Sequence, residues 1–106
     1  MPKYMLEVSY TADGTQGVVK DGGSKRRDAA RTLVESLGGK LEAFYFAFGT
    51  TDVFAIVDLP DGVAAAAASM TVGASGAGSS TVTVLMTSEE IDQAAKKSPR
   101  YTPPGR

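Results

Sequence analysis

Lys25, Arg26 and Arg27 stand in a row directly after Gly22-Gly23-Ser24, with Arg31 further on. The glycines free the backbone and Ser24 suits a helix N-cap, so the three cations sit at an expected helix N-terminus. Free N–H groups and basic side chains there can hold a phosphate or a carboxylate. The macrodipole disfavours cations at that end by a few tenths of a kcal/mol. A second reading fits the same residues: a solvated face whose arginines pair with Asp21, Asp28 and Glu35 or with a neighbouring subunit. The segment is not a P-loop, because the glycines do not directly follow a strand and no Gly-Lys-Ser/Thr occurs.

The carboxylate best placed for chemistry is Asp52, which opens an aromatic-rich strand next to a turn. In a pocket it could serve as a base; at the turn it could accept backbone N–H groups and fix the hairpin. Tyr10 and Tyr45 offer phenols, or are simply amphipathic core residues. Glu7 and Glu42 are expected beside aromatics on a sheet, paired with Lys40 or Arg26 if buried. Catalysis would fall to Asp52, Tyr10, Glu7 or Ser9, and ligand binding to Lys25, Arg26, Arg27, Tyr45 and Phe46.

Composition narrows the chemistry further. The 106 residues include no Cys and no His, with 11 basic and 12 acidic side chains. Thiolate nucleophiles, zinc sites on thiolate or imidazole, disulfides and a Ser-His-Asp triad are therefore excluded. No cofactor and no metal site is expected. Phe44, Phe46 and Phe48 invite comparison with sheets that stack RNA bases, but a net charge of −1 with acidic strand residues argues against a phosphate-binding surface. With no signal-peptide pattern and no apolar run near ~20 residues, the expectation is a cytoplasmic protein without a membrane span.

These side chains must be positioned by the following elements. Lys3 to Tyr10 alternates with period two, Tyr4, Leu6, Val8 and Tyr10 on one side, and reads as a first strand. Thr15 to Lys20 reads as a helical turn or two. Ala30, Leu33, Val34 and Leu37 form a stripe that only a helix places on one side, predicting a helix over about 24–37 that stops at Gly38-Gly39. Asp28 with Arg31, and Arg31 with Glu35, supply surface pairs of ~0.3 kcal/mol each.

Lys40 to Phe48 and Asp52 to Leu59 read as two strands of a hairpin around Gly49-Thr50-Thr51. Asp61 suits an N-cap for a helix over 62–71. Gly73 to Ser80 reads as a loop and Thr81 to Met86 as a fourth strand. Thr87-Ser88-Glu89-Glu90 has capping-box spacing before a helix to about Lys97. The tail 98–106, with three prolines, is expected to be disordered.

The order βαββαβ plus a terminal helix is the α+β, ferredoxin-like arrangement: an antiparallel four-stranded sheet with both main helices on one face, spanning 1–97. Strict alternation would put Tyr45 with Val53, Ala55 and Val57, opposite a face of Phe44, Phe46, Phe54 and Ile56. Both faces are then apolar. Leaving the second in water forgoes about 1.5–3 kcal/mol per large side chain, so a second copy is expected to cover it, forming a dimeric α/β barrel.

The segments "SYTADG", "GGSKRRDAARTLVESLGGKLEAFYFAFG", Asp52 with "VFAIVDLPD", and "TSEEI" resemble the GYD domain family of small bacterial proteins, over roughly residues 1–97. The resemblance implies a fold of the dimeric α/β barrel group and no established activity. Gly49 and Asp52 match the signature that names the family, while Thr51 stands where its tyrosine is expected, so no role for an aromatic ring at the turn carries over. The expected function is a small homo-oligomeric protein that binds a hydrophobic or anionic small molecule, or serves as a stress-related assembly. The alternative is a cofactor-independent monooxygenase or isomerase acting on a quinone-like or polycyclic substrate, an analogy drawn from fold alone.

Overall fold

Alternation in the first strand translates directly into burial. In the computed structural model, which describes residues 1–106, β1 (Lys3–Tyr10) buries Tyr4 and Leu6 and half-buries Val8 and Tyr10 on one face. It is followed by α1 (Ala12–Asp21), α2 (Gly23–Ser36), β2 (Lys40–Phe46), β3 (Val53–Asp58), α3 (Gly62–Ala74), β4 (Gly78–Leu85) and α4 (Ser88–Ala95). The four strands form one open antiparallel sheet in the order β2-β3-β1-β4. This is the ferredoxin-like α+β topology. No helix is long and apolar enough to cross a membrane.

The core lies between the sheet and the helices. Val34 of α2 and Ala65 of α3 pack with Tyr4, Leu6, Ala55, Val57 and Leu59, while Leu37, Leu41, Phe44 and Val82 border the cluster. Alanine suits α3 here, because small side chains let a helix approach the sheet closely while keeping high helix propensity. Asp61 caps α3, its Oδ1 accepting the Ala64 N–H at 2.9 Å. Thr87 and Glu90 complete a reciprocal capping box at α4.

Several boundaries differ from expectation, each for a local reason. The first helix is a full ten residues, capped by Thr11 rather than limited to a turn or two. Thr11 Oγ1 accepts the Gly14 N–H at 3.2 Å and donates to the Gly76 carbonyl at 2.8 Å, tying the helix start to the α3–β4 turn. Gly14 is buried there, and a Cβ on it would collide with the Ala77 carbonyl. The expected loop 73–80 shrinks to residues 75–77, because α3 runs on to Ala74 and because Ser9 and Tyr10 at the end of β1 take Ser79 and Gly78 as ladder partners. Helix α2 starts at Gly23 without the expected Ser24 cap; Gly22, at φ 85°, both ends α1 and opens α2.

The largest correction concerns the faces of β2. The register slips between Leu41 and Ala43, leaving Glu42 as the extra residue of a β-bulge. A one-residue slip turns every later side chain over. Phe44 and Phe46 therefore pair with Ala55 and Val53 on the helix face, while Tyr45 pairs with Phe54 and Ala43 with Ile56 on the open face. The expected grouping of Tyr45 with Val53, Ala55 and Val57 is thus reversed.

The open face is mixed rather than uniformly apolar. Met5, Phe54 and Ile56 form its centre, with Tyr45 at 70% exposure beside them. At one end Lys3 Nζ bridges Asp58 at 2.9 Å and Glu42 at 3.0 Å. Lys3, not Lys40 or Arg26, is the partner of Glu42. Hydrogen bonding to Asp58 and then to Glu42 holds the Lys3 ammonium above its ordinary pKa of 10.5.

Candidate functional site

Tyr10 is the last residue of β1, and the pleat that buries Tyr4 and Leu6 turns it towards the helices. Its backbone N–H donates to Asp52 Oδ2 at 2.7 Å. The Asp52 N–H in turn donates to the Val8 carbonyl at 2.8 Å, and its carbonyl accepts the Ala47 N–H at 2.9 Å. Asp52 thereby fastens the β2–β3 turn to β1. Ser9 adds a second tie, its hydroxyl donating to the Thr50 carbonyl at 2.8 Å.

Two apolar cavities share the Tyr10 side chain as a wall. One, of about 130 Å³, lies between sheet and helices and is lined by Val8, Phe44 and Val53 from the strands, Ala30 and Leu33 from α2, and Val72 from α3, with Arg26 as its one charged residue. The other is a more open cleft of about 460 Å³ between α1 and the end of β2, lined by Val18, Val19, Phe46, Phe48 and Asp52. Phe44 and Phe46 meet edge-on with ring centres 5.3 Å apart, one ring on each cavity.

Burial pushes the Tyr10 phenol above its ordinary pKa of 10.0; the Arg26 charge pulls it down and Asp52 opposes that pull. The phenol is therefore neutral at physiological pH, a hydrogen-bond donor rather than a phenolate base. Asp52 contributes a carboxylate whose Oδ2 is already taken by a backbone N–H.

The remaining sequence-derived candidates scatter. Lys25 and Arg27 are exposed on α2 and line neither cavity. Arg27 lies 3.5 Å from Asp28, which also receives Arg31 at 2.9 Å. Tyr45 and Glu7 are on the open sheet face, Glu7 between Phe54 and Thr81. Of the nine candidates, Tyr10, Arg26, Phe46 and Asp52 line the two cavities and the other five do not. The contributions of α1 and of the end of α3 were not legible as site residues, although Thr11 was an available cap signal for α1.

The same elements, from β1 to the end of α4, are spanned by one family model: the GYD domain matches residues 4–95. The chain belongs to the GYD domain family. No curated protein matches it. Within this GYD domain the turn from Gly49 to Asp52 is anchored to β1 by its Asp. Thr51 is half-buried and lines neither cavity.

Proposed function

We propose that this GYD-domain protein is a homodimeric binding protein for a small amphipathic molecule. The observation that carries the reading is the pair of apolar cavities meeting at Tyr10. The cleft's volume falls within the roughly 300–1,000 Å³ of small-molecule sites, and its walls combine aromatic and aliphatic surface with a few polar groups. Pairing is supported by the open face, where Tyr45 and Phe54 stand side by side and partly exposed around Met5 and Ile56. A two-fold axis through that face leaves both cavities, which lie on the helix side, free to bind.

The alternative of a cofactor-independent monooxygenase or isomerase would use the same cleft, with Tyr10 as acid. Binding without turnover is favoured by Asp52, the only carboxylate lining the cleft, which already serves as a backbone acceptor. Native mass spectrometry of protein purified from its own host tests the reading. Dimers with a bound small molecule are expected; monomers without added mass, under conditions that keep other weak complexes intact, overturn it.

A further inference from the structure

Arg26 is half-buried at the edge of the 130 Å³ cavity, whose other lining residues carry no charge. The molecule has four ion pairs, and none involves Arg26. The one carboxylate on its own stretch of α2, Asp28, is committed to Arg27 and Arg31. Arg26 thus stands half-buried beside an apolar cavity, with the Tyr10 phenol as its neighbour and no carboxylate partner, and an anion arriving with an apolar body would pair it. The Tyr10 hydroxyl on the same wall can donate a second hydrogen bond.

The size of the cavity limits what that body can be. An apolar cavity of about 150 Å³ accepts benzene, so about 130 Å³ suits one six-membered ring or a short branched chain. Phe44 and Leu33 give it aromatic and aliphatic walls. From these observations we infer that the cavity binds a monocyclic aromatic or similarly compact carboxylate, its ring between α2 and the sheet and its carboxylate on Arg26 and Tyr10. This deepens the binding reading above and rests on it. It also replaces the three-cation helix-terminus site by a single cation, since Lys25 and Arg27 do not reach the cavity.

The test uses benzoate and its neutral isostere benzamide on the full chain, read by calorimetry and by the ligand-dependent melting temperature. Benzoate is expected to bind at least tenfold more tightly than benzamide, and Arg26→Gln to remove that advantage. Arg26→Lys should retain part of it, and Arg27→Gln, on the exposed side of α2, should change nothing. Circular dichroism of each variant verifies folding. Equal binding of benzoate to wild type and Arg26→Gln overturns the role of Arg26. Equal binding of benzoate and benzamide overturns the anionic class while leaving a binding cavity in place. If neither binds at millimolar concentration this inference falls, whereas the broader binding reading is decided separately by the mass of the native complex.

Discussion

The carboxylate of Asp52 accepts the backbone N–H of Tyr10 at 2.7 Å across 42 residues of sequence. Together with the Asp52 N–H on the Val8 carbonyl and the Ser9 hydroxyl on the Thr50 carbonyl, that bond holds the β2–β3 turn against β1, beside the residue shared by both cavities. A hydrogen bond to a charged group contributes about 1.5–3 kcal/mol, and an orphaned buried N–H costs a similar amount. Asp52→Ala is therefore expected to lower stability by about 2 kcal/mol in urea denaturation. Asp52→Asn, which keeps an acceptor oxygen, should lose less than half of that. Equal losses would mean that charge, not the acceptor, matters at this turn.

Two glycines of α1 make a controlled pair. Alanine is favoured over glycine in a helix by about 0.5–1 kcal/mol. At Gly17 a Cβ meets no heavy atom within 4 Å, so Gly17→Ala should stabilise by up to that amount. At Gly14 the same atom collides with the Ala77 carbonyl, and overpacking of this kind costs about 1–3 kcal/mol. Steric cost outweighs propensity there, and Gly14→Ala should lower the denaturation midpoint.

Tyr10 should titrate late. Its folded pKa is raised by burial, so above pH 10 the unfolded chain loses this proton while the folded chain keeps it. The contribution to stability is thus complete below pH 10 and is lost as pH rises through the folded value. Absorbance at the phenolate band, wild type minus Tyr10→Phe, should show the component above pH 10. Because Arg26 pulls the phenol down, Arg26→Gln should move it higher still.

Tyr45 and Phe54 are cross-strand partners on the open face. Placing a charge between two such faces would set like charges against each other across the axis. Phe54→Asp is expected to convert the dimer to a monomer by sedimentation velocity at micromolar concentration while leaving benzoate binding intact. A wild type that is already monomeric there would end the dimer proposal.

Every residue of α4 is exposed, although its capping box is complete. Losing an N-cap costs about 1 kcal/mol locally, and a short helix without packing is marginal in water. Thr87→Ala should therefore reduce helicity by circular dichroism without moving the global melting midpoint. A shift of several degrees would mean that α4 packs on something in solution.

Period-two and helical patterns alone determined the eight-residue first strand, the α2 stripe and the caps of α3 and α4, because those signals are local. The same reading recovered the order of elements and hence the ferredoxin-like sheet. Tertiary structure alone decided which face each β2 side chain occupies: the bulge at Glu42 arises from pairing with β3, and alternation within β2 carries no trace of it. It also selected Arg26 from three adjacent cations, since only contact with the sheet distinguishes the inward side of α2 at that turn. Asp52 was legible as a turn residue, but its hold on Tyr10 was not, because a bond across 42 residues depends on two strands meeting in register.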